Sequence, residues 1–241
     1  MLLLLLIVVV FLLSFLNYSQ SQSGGGSAVQ HMFWTGGFDS TFMICQAIID
    51  RGLTVQPYYI TADLDDCPSC TFKRNNRMQE IRAMDRVRAL LPENQLLPTI
   101  YISDIPDNQT VTDQFFSMRL HNSNRRYNQY EAMCRYALHN GLKMSIGTVG
   151  IMGEDGIDLP TDRWGTYLRT NLHNFGLSDG PARNLLFPVA YITKRQMLDI
   201  ATDNGYADLV SQSWSCWFPK SSGQPCGRCP MCRDRIIAQL T

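Results

Sequence analysis

The run Thr35-Gly36-Gly37-Phe38-Asp39-Ser40-Thr41 constrains this chain more than any other. The residues before it, 29–34, read as a short strand, and Phe42, Cys45, Ile48 and Ile49 then recur at helical spacing until Gly52. A strand passes into a helix this abruptly only where the backbone bends freely, and two consecutive glycines permit it. The turn brings its N–H groups to the positive end of the helix, where Ser40 and Thr41 add hydroxyls, so the local chemistry is that of a phosphate cradle. The plain alternative is a Gly-Gly turn with no ligand. Neither the Lys and spacing of a Walker A loop nor a GxGxxG fingerprint is present.

Beyond this unit, strands are predicted over 54–61, 97–102, 143–149 and 185–189. Helices are predicted over 73–91, 113–120, 127–140, 164–172 and 193–204, with Gly141 and Gly205 closing two of them. Such alternation predicts an α/β fold, a mostly parallel sheet with helices on both faces. The domain is expected over 28–241, ending in a cysteine-bearing tail at 214–241 that closes with a short helix. Ahead of it, 1–16 is almost wholly apolar and 17–27 is a polar Ser/Gly linker. That segment has the length of a signal-peptide core without its basic start, so an export signal or short anchor and an extension with no targeting role both stay open.

The tail carries the more specific signal. Cys216 is followed by Cys226, Cys229 and Cys232, two C-x-x-C steps with Gly227 freeing the tight turn between Cys226 and Cys229. Four thiolates so spaced predict one structural, tetrahedral Zn2+ per chain. An iron-sulfur reading would need a further Cys-Pro where Arg233, Asp234, Arg235 and Ile236 stand. With 8 Cys in 241 residues, the chain is too sparse for a disulfide scaffold, and its clustering points to a reducing compartment, the cytoplasm. The 21 basic and 21 acidic residues cancel, which argues against holding nucleic acid by bulk charge.

The TGGFDST turn and the tail SWSCWFPKSSGQPCGRCPMCRDR together resemble the 7-cyano-7-deazaguanine synthase family of PP-loop ATP pyrophosphatases, over about residues 31–240. The family loop is written SGGxDS, so Thr35 keeps a hydroxyl while Gly36, Gly37, Asp39 and Ser40 match. Lys194 stands where the family has a Lys, and Arg126-Tyr127-Asn128 stands near its Arg-Asn pair with one residue inserted. A literal Arg183-Asn184 precedes a predicted strand and Pro188, and is read as a decoy. After Gly147 the family's Asp and Tyr-Pro-Asp become Asp155, Leu159, Pro160 and Thr161, with Asp162 one place late, which puts the substrate's identity in question more than the use of ATP.

The resemblance implies a ligase that uses ATP with Mg2+ to adenylate 7-carboxy-7-deazaguanine, takes ammonia to form the amide, and adenylates again to reach the nitrile, within queuosine biosynthesis. It implies ATP binding by Thr35, Gly36, Gly37, Phe38, Asp39, Ser40, Thr41 and Arg126, with Asp39, Ser40 and Lys194 in the catalytic set. Asp39 is the candidate Mg2+ ligand or loop-fixing group, and a helix cap is its plain alternative. Arg126 and Lys194 are candidates for phosphate or substrate carboxylate, or solvated charges. No stable nucleic-acid partner is expected, and a homodimer is a candidate assembly.

Two other readings remain. Cys67-Pro68-Ser69-Cys70 lies just after the second strand and would suit a PP-loop sulfurtransferase that thiolates tRNA, with Lys73, Arg74, Arg77, Arg82, Arg86 and Arg88 as its basic face. A degenerate nucleotide-binding module without catalysis would suit the altered Tyr-Pro-Asp region. His31, His121, His139 and His173 show no ligand spacing, and Trp214, Trp217 and Phe218 are read either as packing over the zinc loop or as a platform for a planar base.

Overall fold

The computed structural model describes residues 29–61, 71–117, 129–148, 183–190 and 192–237. Strand β1 (Gln30–Phe33) enters the glycine turn and leaves it as α1 (Phe38–Cys45), which widens into a π-helical turn at Gln46–Asp50. There follow β2 (Val55–Ile60), α2 (Thr71–Arg88), β3 (Ile100–Ile102), α3 (Gln109–Ser117), α4 (Gln129–His139) and β4 (Met144–Ile146). The chain continues through β5 (Leu185–Leu186), α5 (Lys194–Asp203), α6 (Ala207–Ser211) and α7 (Pro230–Ile237). The short α6 has no counterpart in the sequence-based expectation. The helix expected over 164–172 and the segment 1–27 lie outside the described residues.

The sheet order is β3-β2-β1-β4-β5, and every pairing is parallel. From β1 the chain first moves outward to β2 and β3, then returns to place β4 on the other side of β1. Loops leaving β1 and β4 therefore diverge at their carboxyl ends, which is where open parallel sheets bind ligands. Both faces are covered, as the alternation required. Met32, Trp34, Val55 and Tyr59 pack with Phe42, Ile44, Met84, Val87, Met197 and Val210 on one face. Phe33, Tyr58, Ile102, Met144 and Ile146 pack with Val111, Phe115, Met133 and Ala137 on the other. Adjacent residues of β1 and β2 thus split between the two cores, as the period of two in a strand demands.

The strand expected over 97–102 is shorter than its composition suggests. Val55 and Leu96 make an isolated parallel bridge, and the ladder resumes only where Tyr58 pairs with Ile100. Between these points Pro57 lies across from the Pro98 segment, and neither proline has an N–H to give. Gln56 fills part of the gap by donating from Nε2 to the carbonyl of Pro98 at 2.6 Å. The last strand is likewise cut to two residues, with Pro188 beyond it.

Helix α2 is fastened to the sheet by a polar contact. Tyr59 donates its hydroxyl to Glu80 Oε2 at 2.6 Å, and Asn76 Nδ2 donates to Glu80 Oε1 at 2.9 Å. Burial pushes the Glu80 carboxyl up to about 7, only partly offset by the Tyr59 hydroxyl, the Arg77 charge and Asn76. Between the ordinary glutamate value and about 7, the folded chain holds a proton here that the unfolded chain has lost, so stability falls as pH rises through that window. Thermal melts of the wild type and Glu80→Gln between pH 5 and pH 8 should show the wild type losing ground to the variant as pH rises; parallel profiles would show that Glu80 does not titrate in this range.

Candidate active site and metal centre

The glycine turn is built from its own hydroxyls. Ser40 Oγ donates to the carbonyl of Gly37 at 3.2 Å and accepts from the amide of Thr35 at 3.2 Å, while the Thr35 and Ser40 hydroxyls lie 3.1 Å apart. The amide of Gly37 reaches Thr35 Oγ1 at 3.4 Å, and Trp34 Nε1 donates to Thr41 Oγ1 at 3.1 Å. Ser40 and Thr41 are buried, so both hydroxyls set the shape of the turn from inside. The hydroxyl kept by Thr35 has a local use that an apolar residue could not supply.

Two glycines are dictated by close approach. Gly36 has φ 70°, and a Cβ there would lie 2.6 Å from the carbonyl oxygen of Glu80 in α2. Gly147 follows β4, and a Cβ there would lie 2.5 Å from the amide nitrogen of Ser40. The exit of β4 is therefore pressed against the first turn of α1, which narrows the crevice between the diverging loops to backbone dimensions.

Charge converges on the same place. Lys194 opens α5, whose N-cap Thr193 accepts from the Gln196 amide while Gln196 Oε1 accepts from the Thr193 amide. Its ammonium lies 3.8 Å from Asp39 Oδ1 in the first turn of α1. The positive end of α1 and the ammonium of Lys194 thus meet beside the turn, with one carboxylate between them. Thr148, just past Gly147, is buried, and its hydroxyl has no hydrogen-bond partner among the described residues. A buried orphan hydroxyl beside an anion cradle fits a site that takes a polar ligand. ATP with Mg2+ fits this donor set: turn amides and Lys194 toward phosphate, Asp39 toward the metal ion.

The structure brings Thr35 through Thr41 together with Lys194. Arg126, Asp155, Pro160, Thr161, Asp162, Cys67 and Cys70 lie outside the described residues. Arg183 and Asn184 stand at the amino-terminal end of β5, where Asn184 accepts from the Met144 amide at 2.9 Å, so they are at the opposite edge from the turn. Sequence reasoning does not single out Gly147 and Thr148 as site residues; Gly147 enters it as a reference point for the family pattern, and its crowding becomes visible only with the topology.

The four tail cysteines close into one cluster, with all Sγ atoms within 4.8 Å of one another. Cys226 and Cys232 Sγ are 3.9 Å apart, close to the edge of about 3.8 Å expected for a tetrahedron with Zn–S bonds of about 2.3 Å. The amides of Arg228 and Cys229 point at Cys226 Sγ (3.5 and 3.3 Å), and that of Cys226 points at Cys216 Sγ (3.2 Å). Desolvation, which raises the Cys226 thiol, is outweighed by those two amides and by the neighbouring cysteines, so it falls to about 6. Gly227 at φ 73° makes the turn that aims them. A soft tetrahedral ion fits this set, and held by all four sulfurs it would have no coordination position left for a substrate, as in a structural site. Arg235 of α7 ties the module back by donating to the Ser213 carbonyl and hydroxyl and to the Ser211 carbonyl. The aromatic trio divides: Trp214 packs on the cysteines, while Trp217 and Phe218 are 43% and 48% exposed.

The family model of queuosine biosynthesis protein QueC matches residues 143–239. That span holds β4, Gly147, Lys194 and all four cysteines, and it returns the family to which the turn and tail motifs point. No curated protein matches the chain. Among solved structures, an NMN synthetase from Francisella tularensis is similar at 14% identity over 93% of this chain and 78% of that one, with a TM-score of 0.39. No helix of the described residues is long and apolar enough to cross a membrane.

Two outcomes test the site. Gly147→Ala should abolish Mg-ATP binding in calorimetry and lower the melting temperature, since α1 must move to admit a methyl group; binding at the parent affinity would show that the crevice tolerates it. Elemental analysis of the purified chain should give close to one zinc per chain, and Cys229→Ser should lose the metal and melt at a lower temperature.

Proposed function

We propose that this chain is an ATP-dependent ligase resembling 7-cyano-7-deazaguanine synthase, acting on 7-carboxy-7-deazaguanine or a related acid, with ammonia as nitrogen donor. The QueC family match supports an ATP-using role in making a modified nucleobase. The observation that carries the reading is the convergence of the glycine turn, Lys194 and Asp39 at the point where β1 and β4 diverge.

The chemistry follows from what a carboxylate lacks. It is a poor electrophile until one oxygen becomes a good leaving group, and transfer of AMP from ATP achieves that. In such a step the substrate oxygen attacks the α-phosphorus and pyrophosphate departs, so the protein's task is to hold the charge that grows on the pyrophosphate. The turn amides and the amino-terminal end of α1 supply fixed dipoles, and Lys194 supplies a full charge without a proton transfer. Asp39 has two uses in this scheme: it orients Lys194 through their ion pair and offers an oxygen to Mg2+, which would screen the phosphates when bound. No side-chain nucleophile is needed. Ammonia then displaces AMP to give the amide, and a second adenylation followed by elimination gives the nitrile.

Of the basic face that a tRNA-thiolating enzyme would use, Arg77, Arg86 and Arg88 turn to the protein itself. Arg77 donates to the Thr61 carbonyl, Arg86 to the Gln212 carbonyl, and Arg88 to Leu96 and Thr99 while lying over the Trp34 ring. These cations are engaged with the protein itself.

Incubation with ATP, Mg2+, ammonia and 7-carboxy-7-deazaguanine should release pyrophosphate and form the nitrile. Asp39→Ala should abolish release while zinc stays bound, and Cys67→Ser with Cys70→Ser should leave conversion intact. Loss of conversion in the folded, zinc-loaded double variant would favour sulfur transfer instead.

A further inference from the structure

The tail that carries the metal cysteines runs directly over the nucleotide turn. The amide of Trp214 donates to the carbonyl of Gly36 at 2.7 Å, and the Trp214 carbonyl passes 3.7 Å from where a Cβ on Gly37 would stand. Below the turn, the backbone of Glu80 in α2 touches Gly36 from the other side. Gly36 is thus held between two strips of backbone that belong to neither β1 nor α1.

The bond to Gly36 reaches further than its own oxygen. The carbonyl of Gly36 and the N–H of Gly37 belong to one peptide unit, which is planar, so fixing one end fixes the direction of the other. That N–H makes only a long contact of 3.4 Å, with Thr35 Oγ1, and it is one of the donors a phosphate in the turn would meet.

Trp214 is itself held by the metal loop and by α2 together. Its indole Nε1 donates to the carbonyl of Cys216, a candidate metal ligand, at 3.0 Å and to Asn76 Oδ1 at 2.7 Å. Asn76 hands on to Glu80, and Glu80 to Tyr59 in β2, so the indole ends a chain of hydrogen bonds anchored in the sheet. On the other flank, Arg235 of the metal module grips Ser213, the residue before Trp214. Packing alone would satisfy an indole ring, but two acceptors on its N–H fix its orientation.

We propose that Trp214 is a positioning residue for the nucleotide turn: it links the four-cysteine loop to the Gly36-Gly37 peptide, so that closing the metal site sets the direction of a phosphate-binding amide. This rests on the reading of Thr35 through Thr41 as the ATP site. The zinc module, on this account, does more than stabilise its own loop. It completes the cradle from outside, and occupancy of one site is coupled to affinity at the other.

The test uses the full chain, with Trp214→Phe, which keeps an aromatic ring and removes the indole N–H, and Asn76→Leu, which removes one of its two acceptors without touching the tail. Readouts are zinc content, Mg-ATP affinity by calorimetry, and amide hydrogen exchange without nucleotide. Both variants should keep one zinc per chain, bind Mg-ATP about tenfold more weakly, the scale of one lost hydrogen bond, and exchange faster at 35–41 while β1, β2 and β4 stay protected. Zinc-stripped wild type should show the same local exchange. Loss of zinc from the variants would make Trp214 a support of the metal loop itself and would overturn the positioning role. Unchanged exchange at 35–41 in both variants and in stripped protein would overturn the proposal, even with Mg-ATP bound normally. Failure of the wild type to bind Mg-ATP, with exchange at 35–41 still responding to zinc, would overturn the nucleotide reading and leave the positioning role standing.

Discussion

The approach of Gly147 to the first turn of α1, so near that a Cβ would lie 2.5 Å from the amide nitrogen of Ser40, fixes the relation between the two strands that flank the crevice. β1 and β4 are hydrogen-bonded neighbours, yet the chain visits β2 and β3 between them. Their carboxyl ends can share one small site only if the loop after β4 stays out of the first turn of α1. A hydrogen atom at Gly147 in place of a side chain meets that condition. The glycine turn after β1 then has its phosphate-binding face bounded on one side by β4 and on another by the start of α5, where Lys194 meets Asp39.

This arrangement explains why the turn spends its own hydroxyls on itself. A Gly-Gly turn is entropically expensive to fix, because both residues roam widely in the unfolded chain. Thr35 and Ser40 offset part of that cost with a closed set of hydrogen bonds, and α2 and Trp214 confine Gly36 from outside. The amides are left in a fixed array without reorganisation when charge develops, which is the condition for strong electrostatic stabilisation of a leaving group.

Much of this was legible in sequence because it rests on local chemistry. The strand, turn and helix around Thr35 to Ser40 follow from glycine, hydroxyl and periodicity within a dozen or so residues. The cysteine spacing carries the metal cluster in the same way, since Gly227 and the two C-x-x-C steps decide the geometry almost alone. What was not legible depends on partners distant in sequence. Pro57 and Pro98 each look harmless in a strand pattern, and only their alignment across β2 and β3 breaks the ladder. Gly147 reads as the end of a strand until α1 is placed on it. Trp214 reads as an aromatic of the zinc loop, and no pattern within the tail tells that its amide serves Gly36.

The same distinction bears on how the alternatives separate. A reactive sulfur carrier needs a thiol that ionises readily and is reachable. Cys45 and Cys134 fail on both counts: each is buried, and burial pushes the Cys45 thiol up to about 12 and the Cys134 thiol higher still. The tail cysteines converge on one another, and a metal held by all four would leave none free to attack. Sulfur chemistry in this chain would therefore rest on Cys67 and Cys70. Adenylation makes no such demand, because its groups, the turn amides, Lys194 and Asp39, already stand together at one end of the sheet. Adenylation is the reading that the assembled groups support, and Cys67 and Cys70 are the residues on which the sulfur-transfer reading stands or falls.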